Sequence, residues 1–79
     1  MAVHVTVFTR AGCKLCQHAE RLVAAHAGGA TMELVDVDTD SELVERYGVR
    51  VPVVVIDGVE RFELQVDEVE LAAALGSDA

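Results

Sequence analysis

At 79 residues the chain has room for one small hydrophobic core, and its 52% apolar content excludes a disordered segment. A formal net charge of −8 is the wrong sign for a nucleic-acid backbone, and the only aromatics, Phe8, Tyr47 and Phe62, are too few for a base-stacking platform. No stretch is apolar for long enough to span a bilayer, and the start runs into a strand-like pattern without the basic and apolar regions of an export signal. The expectation is a monomeric cytoplasmic protein, residues 1–79 forming a single domain with neither membrane nor nucleic acid as partner.

Residues 3–9, VHVTVFT, alternate β-branched positions and read as a strand. Arg10, Ala11 and Gly12 form a short loop. From Cys13 to about His26 the spacing turns helical, with Leu15, Ala19, Leu22, Val23 and His26 on one side, and Gly28-Gly29 stops it. A second strand runs from Thr31 to about Val37. Thr39 with Glu42 forms a capping box for a short helix through Leu43, Val44 and Tyr47, which Gly48 ends. The run VPVVVIDGVERFEL reads as two strands joined at Asp57-Gly58, a pair that favours a type I′ hairpin. Asp67 caps a last helix carrying Val69, Leu71, Ala72 and Leu75, with Gly76 as its stop and residues 77–79 as a frayed tail. The order is β-α-β-α-β-β-α. A helix between the first two strands makes them parallel, and the last pair is antiparallel. The fold class is therefore α/β, a four-stranded mixed sheet covered by three helices.

Cys13 and Cys16 are the only thiols. Cysteines two residues apart suit a redox pair, half of a metal site, or a structural staple. A lone disulfide of this spacing does not staple a fold in a reducing compartment. A zinc site needs two more ligands, and neither His4, His18 nor His26 converges on the sulfurs in the helical frame, which leaves open only a metal shared between two chains. The charge pattern favours the redox reading. Residues 1–26 carry a net +2 while the rest carries −10, and Lys14, His18 and Arg21 share one helical stripe. Cys13 at the helix start meets unpaired backbone N–H groups and the positive end of the dipole, which favour the thiolate, as do Arg10 and Lys14. At 100° per residue Cys16 lies about 20° from Val23, at the apolar flank, while Cys13 projects roughly 80° from that edge. Cys13 is thus the exposed attacking sulfur and Cys16 the shielded resolving one. His26 reads as a packed side chain near a helix C-terminus.

With a strand, Cys13-Lys14-Leu15-Cys16, a helix, and Val51-Pro52 opening a later strand, the chain resembles thioredoxin-fold proteins, and most of all the small glutaredoxin-like redoxins. The likeness spans essentially the whole length. It implies a thiol-disulfide oxidoreductase, with Cys13 as nucleophile and Cys16 resolving, that reduces protein disulfides or glutathione mixed disulfides. Arg10 falls where the family carries a basic residue three positions before the first cysteine, and with Lys14 it would serve substrate or glutathione. Spacing alone makes Pro52 the trans start of a strand. The resemblance instead implies a cis bond lying against the cysteine pair, with Val51 offering its backbone N–H and C=O to an extended peptide or glutathione. Asp67 stands at the acidic position before the last helix that holds the γ-glutamyl end of glutathione. Two departures are plain: Lys14-Leu15 replaces the usual Pro-Tyr, and the Gly-Gly turn before the acidic position is missing. The resemblance implies no metal and no tightly bound cofactor. It adds glutathione as a co-substrate, and glutathione or a flavoprotein reductase as reductant. The alternative is a non-enzymatic, redox-sensitive or metal-bridging binding module on the same fold, with the acids of the last two helices as partner surface.

Overall fold

A computed structural model describes residues 3–76. The tail expected at 77–79 lies outside the described residues. The elements are β1 (His4–Thr9), α1 (Lys14–His26), β2 (Thr31–Asp36), a 3₁₀ turn (Val37–Thr39), α2 (Ser41–Tyr47), β3 (Val53–Ile56), β4 (Val59–Glu63) and α3 (Glu68–Leu75). They build one sheet in the order β2-β1-β3-β4. β1 runs parallel to β2 and antiparallel to β3, which pairs antiparallel with β4. This is the mixed α/β architecture expected from the sequence.

Alternation along the two central strands sorts the side chains by face. Val5 and Val7 of β1 and Val54 and Ile56 of β3 turn to one side, where they pack with Val23 of α1 and Leu71 and Leu75 of α3. Phe8 of β1 and Val53 and Val55 of β3 turn to the other, towards Val37, Tyr47 and Val51. The register places Val7 opposite Val54 and Val5 opposite Ile56, so β-branched side chains meet across the strand pair. Each fully buried valine or leucine contributes about 1.5–3 kcal/mol relative to exposure. The sheet is therefore covered by α1 and α3 on one face and by α2 on the other.

The local signals behave as their chemistry demands. Asp57 (φ 51°) and Gly58 (φ 84°) both take positive φ, as a type I′ turn requires. The Asp57 carboxylate accepts the His4 N–H at 3.0 Å, tying this turn to the start of β1. Asp67 caps α3 by accepting the Glu70 N–H at 3.0 Å. Gly76, at φ 66°, closes it by donating to Ala72 and Ala73 carbonyls.

Two expectations need correction. The cap of α2 is Asp40, whose carboxylate accepts the Glu42 N–H at 2.8 Å. Thr39 instead ends the 3₁₀ turn and donates its hydroxyl to the Asp36 carbonyl at 2.7 Å. The two aspartates compete better than threonine for the exposed amides, Asp36 capping the turn and Asp40 the helix. Leu15, placed on the apolar stripe of α1, is 46% exposed. Only Cys16, Ala19 and Val23 of α1 are fully buried, so the helix buries a narrower stripe than its spacing marks.

Candidate active site

The loop after β1 brings the first cysteine to the start of α1. Gly12 sits at φ 76°, a conformation costly to any other residue, and lets the chain turn sharply into the helix. Cys13 is the N-cap itself, with extended backbone (φ −91°, ψ 108°), one position before the helix proper. Its Sγ accepts the Cys16 N–H at 3.1 Å, the capping bond that serine or aspartate makes elsewhere. Cys13 and Cys16 are joined as a disulfide with Cα atoms 5.2 Å apart. Their environments differ as expected: Cys13 is half-buried, whereas Cys16 is fully buried among Val37, Tyr47, Val51 and Val53.

The floor beneath them is aromatic. Phe8 and Tyr47 stack at 4.2 Å between centroids and 18° between planes. The Arg50 guanidinium lies over the Tyr47 ring at 5.6 Å and pairs with Glu60 and Glu63. The Glu60 hydrogen bond is the main cause that holds the Arg50 pKa above the ordinary arginine value.

The Val51–Pro52 peptide is cis, and both residues are buried against this cluster. The structure thus brings Cys13, Cys16 and Val51 together. Arg10 goes elsewhere. Its guanidinium makes a two-point pair with Asp38 (2.7 and 3.2 Å) and donates to the Gly48 carbonyl at 3.1 Å. The Asp38 hydrogen bond, then its charge, raises the Arg10 pKa. Arg10 therefore clamps the active-site loop to the 3₁₀ turn and to the end of α2. Lys14 is exposed on the first turn of α1, and Asp67 is exposed at the cap of α3. His26, half-buried, meets Glu68 of α3 at 2.9 Å.

Sequence reasoning missed Asp38, the Phe8–Tyr47 floor and Leu64. Asp38 lies 28 residues from Arg10, and only the fold pairs them. Leu64 follows β4 with φ 67°. Its N–H donates to the Pro52 carbonyl at 2.9 Å and to the Arg50 carbonyl at 3.2 Å, while the Gln65 N–H donates to the Glu63 carbonyl at 2.7 Å. That i to i+2 bond across a positive-φ residue is a γ-turn, a rare conformation for leucine. No glycine marks it in the sequence.

Among the described residues no group of three or more His, Cys, Asp or Glu is placed to hold a metal ion. No helix among them is long and apolar enough to cross a membrane.

A family profile described as Glutaredoxin-like domain (DUF836) matches residues 4–76. The chain belongs to the glutaredoxin-like family. A relative is an uncharacterised protein of Mycobacterium tuberculosis, 38% identical, the match covering 87% of this chain and 78% of the relative. The X-ray structure of a structural-genomics target from X. campestris is similar at 33% identity and TM-score 0.73, covering 95% and 99% of the two chains. A mutant thioredoxin from Halobacterium salinarum is similar at 33% identity and TM-score 0.65, over 95% of this chain and 73% of that one. The solution structure of a glutaredoxin from Brucella melitensis is 28% identical with TM-score 0.57, over 95% and 79%. This glutaredoxin-like chain has a thioredoxin-like fold, and a cysteine pair in disulfide geometry at the head of α1 supports a redox function.

Proposed function

We propose that the chain is a thiol-disulfide oxidoreductase in which Cys13 attacks and Cys16 resolves. The observation that carries this reading is the asymmetry of the pair. The Cys13 sulfur sits at a helix N-cap and accepts a backbone N–H, while Cys16 is buried behind it. Amide and dipole both favour the thiolate at Cys13, the form that attacks a disulfide.

In the reaction the Cys13 thiolate forms a mixed disulfide with one substrate sulfur and expels the other as thiolate. Cys16 then loses its proton, attacks the Cys13 sulfur, and releases the second substrate sulfur. Two electrons pass to the substrate, and the chain is left with the Cys13–Cys16 disulfide. Glutathione or a flavoprotein reductase returns the electrons. Val51, beside Pro52, would offer its backbone to the bound segment. Lys14 is the exposed cation nearest the attacking residue in sequence, and Arg10 acts in this reading by fixing the loop. In this account the chain works as a monomer in the cytoplasm, without a resident cofactor.

The test is the alkylation rate of reduced protein against pH, joined to trapping. Cys13 should react with an apparent pKa below the ordinary thiol value of about 8.5. A Cys16→Ala variant should accumulate a mixed disulfide at Cys13, seen by mass. A Cys13 pKa of about 8.5, with no turnover from glutathione or from a flavoprotein reductase, defeats the reading. Zinc bound at one per two reduced chains would favour the metal-bridging module instead.

A further inference from the structure

The two outer strands of the sheet are not alike. The pairing of β4 with β3 carries a register shift between Val54 and Val55, and β4 itself carries Glu60, Arg61 and Glu63. Irregularity and charge both keep a sheet edge from pairing with another chain. β2 has no proline and no irregularity over its six residues, and it pairs with β1 alone. Its Thr31 N–H donates to the Val3 carbonyl at 2.8 Å, so by alternation Thr31, Glu33 and Val35 turn their backbone groups to β1. Those of Met32 and Leu34 point out from the open edge.

Side chains divide that edge into two unlike sides. Met32 and Leu34 stand opposite Val5 and Val7 of β1, on the face that α1 and α3 cover, and Leu34 is 51% exposed there. With Gln17, Glu20, Arg21 and Ala24 of α1 they line an open groove of about 490 Å³. The Glu20 carboxylate in this groove already accepts the Thr9 hydroxyl at 2.7 Å. Arg21 makes no ion pair among the described residues, so it repels a cation from the groove side. On the opposite face the Glu33 side chain is 57% exposed, 3.3 Å from the His4 imidazole. The edge is thus complementary to a strand with apolar side chains over the groove and cations over Glu33. A second copy of β2 does not fit that pattern. Its residues, Thr31–Asp36, hold two acids and no cation, and each chain carries a net charge of −8.

We propose that β2 is a docking edge, to which an extended segment of a basic partner protein adds as a further strand. The N–H and C=O groups of Met32 and Leu34 bond its backbone, its apolar residues enter the groove, and the lysine or arginine residues between them face Glu33. This surface goes beyond the redox reading and uses neither cysteine.

The probe is a peptide as long as β2 that alternates valine and lysine, set beside one that alternates valine and glutamate. At saturation the valine-lysine peptide should slow hydrogen exchange at the Met32 and Leu34 amides about tenfold and leave the amides of β4 unchanged. Glu33→Lys should weaken its binding about fivefold or more, read by fluorescence anisotropy. Leu34→Pro should abolish binding, because proline removes only an outward N–H that the sheet does not use. Circular dichroism checks the fold of both variants, and if the proline variant is unfolded, Glu33→Lys, at an exposed side chain, decides alone. Absence of binding at millimolar peptide, equal binding of the valine-glutamate peptide, protection at β4 instead of β2, or unchanged binding in Glu33→Lys overturns the proposal. So does a wild-type chain that sediments as a dimer through β2, since a second copy would then hold the edge.

Discussion

Replacing each cysteine by serine in the reduced protein should give opposite results for stability. At position 13 a serine hydroxyl can take over the sulfur's task, accepting the N–H of residue 16, and serine is among the best N-cap residues. The site is half-buried, so the new hydroxyl also reaches water. The expected change is within about 0.5 kcal/mol of zero. At position 16 the hydroxyl enters a fully buried place lined by Val37, Tyr47, Val51 and Val53, none of which offers a side-chain partner apart from the single Tyr47 hydroxyl. Burying a hydroxyl there costs about 1–3 kcal/mol. At a urea slope of about 1 kcal/mol/M for a chain this small, Cys16→Ser lowers the unfolding midpoint by roughly 1 M or more, whereas Cys13→Ser barely moves it. The assay is urea unfolding with dithiothreitol present, both variants beside reduced wild type. Equal losses, or the larger loss at position 13, would refute the unequal placement on which the assignment of attacker and resolver depends.

Other outcomes follow from the same geometry. Tyr47→Leu keeps an apolar side chain beneath the site but removes the stack on Phe8, worth about 0.5–1.5 kcal/mol, and a thermal melt should fall by several degrees. Leu71→Ala opens a cavity where α3 meets the sheet and should cost about 2–5 kcal/mol by chemical unfolding. Arg10 has its pKa raised, first by the Asp38 hydrogen bond, so its contribution is fully present below the ordinary arginine value and is lost only as pH rises through the higher folded value. The destabilisation caused by Arg10→Met should therefore be flat between pH 6 and pH 10, and a slope across that range in parallel unfolding curves would count against the clamp.

Much of this fold was readable because its signals are local. The alternation of Val5 and Val7, the Asp57-Gly58 turn, the Asp67 cap and the Gly76 stop each act within a few residues, and each appears where its chemistry puts it. The cysteine pair was readable for the same reason, since its meaning depends on the strand before it and the helix after it. What the sequence hid are relations across the chain. Arg10 looked like a free cation for the thiolate until the fold brought Asp38 and the Gly48 carbonyl to it. Thr39 looked like a cap because nothing local ranks it below two aspartates that both find amides. Leu15 looked like core because helical spacing does not show how narrow a stripe of α1 is buried. Leu64 gave no warning, since its conformation is imposed by carbonyls from residues 50 and 52.

The capping bond from the Cys16 amide to the Cys13 sulfur makes the head of α1 part of the redox couple. A thiolate is a charged acceptor and holds that amide more strongly than a disulfide sulfur does. The fraying equilibrium of the first turn and the oxidation state of the pair are therefore thermodynamically linked, each biasing the other by the same free energy. Oxidation exchanges that charged acceptor for a covalent bond between the same two residues, and reduction restores it. The exchange rate of a single backbone proton, that of Cys16, thus reports on which state the protein is in.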